Sequence, residues 1–215
     1  MLTSTITRLF RCQGIITQTP SLLLLRNLHN KEPIPVTWEK PKVGWTKLNF
    51  DGSSKGRKGK SSIGGVFRNH NAEFLLGYAG SIGRTDSTVA ELAALLRGLE
   101  LILENRWGDV WLEGDAKALV NIITNKRTIR SLEGQRYVTH INGIIPELKN
   151  YSMTHIYREG NRVADKFAQI GHQLDEPRIW RCDPSDSVLP IMHDDAEGKI
   201  VLRKRRMKSS LEDKD

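Results

Sequence analysis

Two cysteines, Cys12 and Cys182, are all that this 215-residue chain contains. They are too few for a disulfide framework and too far apart to read as a metal-binding pair. No apolar run approaches the roughly 18 residues that a membrane-spanning helix needs, so membrane insertion is not expected. No internal repeat is present, which removes solenoids and propellers. Acid is missing from the first stretch of the chain, where Glu32 is the earliest Asp or Glu.

What remains is enough to fold. Hydrophobic residues make up 38% of the chain, and the Leu, Ile and Val of its middle can bury a core, which argues against wholesale disorder. The formal net charge is +8, but its distribution matters more than its total. Residues 1–40 hold five basic and two acidic side chains, residues 196–215 hold seven and four, and the segment between is nearly balanced. A basic total therefore says little by itself about nucleic acid.

Residues 1–31 carry Arg8, Arg11, Arg26 and Lys31 among many Ser and Thr, the composition of an organellar transit peptide or of an unstructured extension. At about 100° per residue, Leu2, Ile6, Leu9, Phe10 and Gln13 fall on one side of a helix and Arg8 and Arg11 on the other, which points to a mitochondrion or plastid. Pro33, Pro35 and Pro41 mark residues 32–44 as an extended linker. A domain over residues 45–175 is expected to begin near Trp45. Residues 176–215 then read as a basic, flexible C-terminal tail. Its run of Arg203, Lys204, Arg205, Arg206 and Lys208 suits a nuclear address, a phosphate-binding arm or simply a solvated tail.

Within the middle, residues 46–50, 63–68 and 74–79 read as strands, the last two joined by the turn-forming Asn69-His70-Asn71-Ala72. Residues 88–105 make the strongest helix, with Val89, Leu92, Ala93, Leu96, Leu99 and Leu103 on one face. A strand over 109–113, helices over 116–124 and 137–148, a strand over 153–158 and a helix over 161–173 follow. The order βββαβααβα predicts an α/β fold, a mixed sheet with helices packed on its faces.

Four carboxylates fall at the edges of these elements. Asp51 closes the first strand, Glu91 lies in the first turn of the long helix, Asp115 follows the fourth strand, and Asp165 lies in the first turn of the last helix. Each has a structural explanation: Thr88 and Glu91 form a capping box, Asp115 is a good N-cap, Asp165 faces a helix dipole, and Asp51 precedes Gly52 in a turn. Together they mean more, because strand ends and helix starts gather at one edge of an α/β sheet, where sites form. Two carboxylates 4 Å apart repel by about 4 kcal/mol at an effective dielectric of 20, so such a cluster calls for a bound cation. Hard oxygen ligands without His or Cys suit Mg²⁺ or Mn²⁺, and an acidic cage for two such ions is the usual apparatus of phosphodiester cleavage.

The segments Asn49-Phe50-Asp51-Gly52-Ser53, Ala90-Glu91-Leu92-Ala93-Ala94, Leu112-Glu113-Gly114-Asp115 and Arg158-Glu159-Gly160-Asn161-Arg162-Val163-Ala164-Asp165 resemble, in order and spacing, the ribonuclease H family. The last is most similar to the ribonuclease H-like domains of plant proteins and retroelements. The resemblance implies a ribonuclease H-like fold with a five-stranded mixed sheet. It also implies a Mg²⁺-dependent endonuclease that cuts the RNA strand of RNA–DNA hybrids through two ions, with Mn²⁺ as a substitute. It makes Asp51, Glu91, Asp115 and Asp165 the catalytic, metal-binding carboxylates, with Asp51 shared by both ions.

Lys55, Arg57, Lys58 and Lys60 in the glycine-spaced loop after the first strand suit phosphate contacts, and Asn49, Ser53 and Ser54 suit reading of 2′-hydroxyls. Bacterial members carry a longer basic protrusion and a loop histidine. Here Lys126 and Arg127, within Lys126-Arg127-Thr128-Ile129-Arg130, stand in briefly for the protrusion, the loop Glu159-Gly160-Asn161 has no histidine, and His155 and His172 read as structural or exposed. The expected partner is an RNA–DNA hybrid or another nucleic acid, with no obligate protein partner. The alternatives are a catalytically weak or inactive retroelement-derived binding module, or a member acting on other structures or from an end.

Overall fold

Residues 33–125 and 127–204 are described in the computed structural model of the chain. The expected transit peptide, Lys126, and Arg205, Arg206 and Lys208 of the basic run lie outside the described residues. Residues 35–202 make one compact unit.

The element order is β1 (Ile34–Val36), β2 (Thr46–Ser54), β3 (Gly59–Arg68), β4 (Phe74–Thr85), α1 (Ser87–Glu104), β5 (Asp109–Gly114), α2 (Lys117–Thr124), α3 (Leu132–Ile144), β6 (Asn150–His155), α4 (Arg162–Gly171), β7 (Arg178–Trp180), α5 (Leu189–Ala196) and β8 (Val201–Arg203). Six strands form a mixed sheet in the order β6-β5-β2-β3-β4-β7, and β1 and β8 pair with each other. β2, β3 and β4 run antiparallel as a meander, β5 lies parallel to β2, and β6 parallel to β5.

This is the expected α/β sheet with one strand more. β7 adds antiparallel to β4, with Ile179 opposite Tyr78. Three residues are too few to show periodicity, so the strand is invisible in the sequence pattern; it is held because Trp180 packs on Phe167, ring centroids 5.3 Å apart. The fold accordingly runs on past the expected boundary at residue 175, and α5 follows with Met192 and Asp195 buried. It also starts before residue 45. The proline-marked segment contains β1 and a buried Trp38 whose indole Nε1 donates to Asn49 Oδ1 at 2.8 Å.

The central strand β2 is buried on both faces over residues 46–51. Leu48 and Phe50 join the main core with Leu92, Leu95, Leu99 and Leu112, which α1 closes from its apolar stripe. On the other face Val66, Val163, Phe167, Trp180, Val188 and Met192 form a smaller core under α4. Two glycines let the helices approach. A Cβ on Gly52 would lie 2.1 Å from the Ala90 carbonyl carbon, and one on Gly64 would lie 2.1 Å from the Ala168 amide. α1 and α4 therefore close on opposite faces of the sheet beside Asp51, whose register partner is Gly64.

Candidate active site

Asp51 sits near the C-terminal end of β2, and Asp115 directly follows β5, the parallel neighbour in which Gly114 is level with Phe50. Glu91 comes from α1 across the sheet edge. The helix begins at Ser87 and is capped by Asp86, whose Oδ1 accepts from Val89 N at 2.9 Å, so the expected capping box with Thr88 does not form and Glu91 lies beyond the first turn. Asp115 is not a cap either, since α2 is preceded by Ala116 with no side-chain cap. The structural explanations for these two acids fall away.

One carboxylate oxygen from each of Asp51, Glu91 and Asp115 lies within 4.8 Å of the others. Burial, then the charges of Asp115 and Asp165, push Asp51 up to about 7. Burial, then Asp51 and Asp115, hold Glu91 well above the usual carboxylate range, against a backbone hydrogen bond from Gly52. Burial also raises Asp115, opposed by the charge of Arg158. Glu91 Oε2 is buried and has no hydrogen-bond partner. An orphaned carboxylate oxygen in an all-oxygen donor set fits a hard divalent cation such as Mg²⁺.

Asp165 is the exception among the four acids. It lies in the first turn of α4 as expected, close enough for its charge to act on Asp51 and Asp115, yet it is not one of the three converging carboxylates. Its Oδ1 accepts from Arg158 Nη2 and its Oδ2 from Gln169 Nε2 at 2.5 Å.

The expected substrate contacts divide. Lys55, Arg57, Lys58 and Lys60 are exposed at the β2–β3 turn, available to phosphates. Arg127 is also exposed. Asn49 is not available: it is buried, its Oδ1 accepts from Trp38 and from Arg68 Nη2, and its Nδ2 donates to Glu113 Oε2 at 3.0 Å. It is a core residue, and the expectation that it reads 2′-hydroxyls is withdrawn. Ser54 Oγ is engaged by the carbonyls of Gly56 and Thr85. Ser53 Oγ lies 3.0 Å from His172 Nε2, and burial, Lys55 and Lys60 depress that histidine.

Several residues at the site are not legible in the sequence. His155, expected to be structural or exposed, ends β6 with its Nε2 3.2 Å from the Asp115 carbonyl oxygen, so a histidine does stand at the rim. It lies at the end of a strand rather than in the loop, and no local pattern marks it as a site residue. Arg158 enters the sequence only as part of a motif. Asn161 is buried and donates Nδ2 to the Phe50 carbonyl at 2.9 Å, tying the start of α4 to the strand beside Asp51.

A model of the family described as reverse transcriptase-like matches residues 49–171. A putative ribonuclease H protein of Arabidopsis thaliana is 32% identical over 140 residues, 65% of this chain and 22% of that protein. Ribonuclease HI of Halobacterium salinarum is 26% identical over 119 residues, 55% of this chain and 60% of that protein. The chain thus spans about a fifth of the first relative and 60% of the second. Among solved structures, the crystal structure of LC11-RNase H1 in complex with an RNA/DNA hybrid is similar with a TM-score of 0.55 and 26% identity, covering 60% of this chain and 96% of that one. A family match over more than half of the chain, together with the shared fold, makes this protein a member of the ribonuclease H family.

Proposed function

We propose that the chain is a Mg²⁺-dependent endonuclease that hydrolyses the RNA strand of RNA–DNA hybrids. The observation that carries this reading is the convergence of Asp51, Glu91 and Asp115 to within 4.8 Å, in a family whose relatives are named ribonuclease H. These three residues would hold the divalent cations, joined by Asp165. When bound, a pair of such ions supplies an activated water and neutralises charge on the leaving oxygen.

The chain's own residues supply the rest. Asp51, on the strand flanked by both helices, holds the centre of the site. Glu91 approaches from α1 through the gap that Gly52 leaves open. Lys55, Arg57, Lys58 and Lys60 attract and register the phosphate backbone, which carries affinity but no sequence information. His155, beside Asp115, stands where a proton donor could meet the departing product.

The test is Mg²⁺- or Mn²⁺-dependent cleavage of a labelled hybrid by the freshly purified full chain. A hybrid left uncut across a range of salt overturns the reading. Engagement of Asp165 by Arg158 and Gln169 favours one rival, a module that binds nucleic acid without cutting it. Hybrid binding that persists unchanged in EDTA, without cleavage in Mg²⁺, would support the rival. For residues 1–40 we infer a mitochondrial or plastid address. A reporter fusion that stays diffuse or enters the nucleus would refute it.

A further inference from the structure

The acid cluster comes with a cation of its own. Arg158, on the 3-10 turn Arg158–Gly160 ahead of α4, donates to Asp165 Oδ1, and its charge also acts on Asp51, Glu91 and Asp115. Gln169, one turn further along α4, holds the other oxygen of Asp165. Both oxygens of the fourth carboxylate are therefore engaged by donors, while the three other acids face one another and one of their oxygens has no partner.

The two members of the ion pair differ in exposure. The Arg158 side chain is 71% exposed and that of Asp165 19%, so the guanidinium can leave into water at small cost while the carboxylate stays at the site. A carboxylate oxygen that accepts from a guanidinium cannot offer the same lone pair to a metal ion. A positive charge beside the cluster also repels an incoming cation.

We propose that Arg158 is a built-in competitor of the divalent cation: with Gln169 it holds Asp165 in a side pairing that must be given up before all four carboxylates can serve an ion. The two residues are positioning residues, and they set how much divalent cation the site demands. The inference rests on the metal-site reading above, and its experiment separates the two.

Isothermal titration of the full-length chain with Mg²⁺, and separately with Mn²⁺, reads ion affinity without cleavage. Arg158→Ala should bind roughly three- to tenfold more tightly than the wild type, the scale expected from losing one partly exposed charge-assisted pair. Arg158→Lys, which keeps a competing charge and guards against misfolding, should fall between them. Gln169→Ala should tighten binding by about twofold, as loss of one neutral donor. In an Asp165→Asn background, Arg158→Ala should have less than half of its effect on log Kd.

Unchanged or weaker ion binding by a folded Arg158→Ala variant overturns the proposal. So does an equal effect in the Asp165→Asn background, which would mean long-range charge rather than a hold on Asp165. Asp51→Asn is the control for the underlying reading, because wild-type ion binding by that variant would show that the metal site itself is misplaced.

Discussion

Two groups of buried charge share one face of β2 and are treated in opposite ways. At Lys47 and Asn49 each cation has an acid to meet. Lys47 Nζ lies 2.7 Å from Glu113 Oε2 and 3.5 Å from the centre of the Trp111 ring. Arg68 stacks on Trp38 at 3.6 Å and pairs with Asp195 at 2.8 Å, and Asp195 also takes Arg162 at 3.1 Å. Asn49 bridges the two halves. Two residues further along, Asp51 meets Glu91 and Asp115 instead. The first group is balanced in charge within the protein and serves the architecture, even though Arg68 Nε and Arg162 Nε are buried without a hydrogen-bond partner. The second brings three carboxylates together, and that imbalance of charge, rather than an unpartnered atom, is what marks it as a candidate ligand site beside a structural ion network.

Breaking each side should give different signatures. The largest effect is expected for Asp51→Asn, which should reduce Mg²⁺-dependent hybrid cleavage by about a thousandfold or more, equivalent to about 4 kcal/mol of transition-state stabilisation. The same change should raise the thermal midpoint of the metal-free protein by relieving repulsion. A cleavage rate within tenfold of wild type would remove Asp51 from the site.

The paired group should respond through stability. Asp195→Ala strands Arg68 in the interior and should cost about 3–5 kcal/mol in denaturant unfolding. A cost below about 1 kcal/mol would place this pair with ordinary surface ion pairs.

pH separates the groups next. Burial first, then Asp115 and Asp165, raise Asp51 in the folded state from 3.8 to about 7. The stability this contributes is fully present below about pH 4 and is lost as pH rises through about 7. Metal-free protein should therefore lose a few kcal/mol over that window, and millimolar Mg²⁺ should flatten the loss. A flat metal-free profile would contradict the crowding of the acids.

The smallest effect is expected at the exposed turn. Replacing Lys55, Arg57, Lys58 and Lys60 by Gln should leave the fold unchanged and reduce the slope of log affinity against log salt by about 0.7–0.9 for each phosphate that is no longer neutralised. An unaltered slope would show that the turn does not touch the backbone.

The candidate site acids were legible because their positions lie near element ends, which periodicity reveals. Asp51 lies near the end of a strand, which runs on to Ser54, Asp115 follows one, and the long helix carrying Glu91 has an unmistakable apolar stripe. Asn49 misled for a related reason. It lies two residues from Asp51 on the same face, so as a polar side chain beside the acids it resembled a substrate contact. Its partners Trp38, Arg68 and Glu113 come from three separate segments, and no local pattern announces that they meet. The late strands were illegible for want of length, since β7 and β8 have three residues each, and α5 was illegible because Pro190 and the acids Asp194 and Asp195 interrupt any apolar period over its eight residues.

The amino-acid sequence by itself determined the order of the main elements, the choice of hard oxygen ligands and the placing of acids near strand ends and helix starts, because side-chain period and residue chemistry are local properties. Only the tertiary structure decided which of the four acids converge. Gly52 and Gly64 let two helices close on opposite faces of one strand, and the guanidinium of Arg158, seven residues away in the chain, draws Asp165 aside. Distances across a sheet depend on how closely backbones can approach and on which charges are neutralised there, and neither is set before the elements pack.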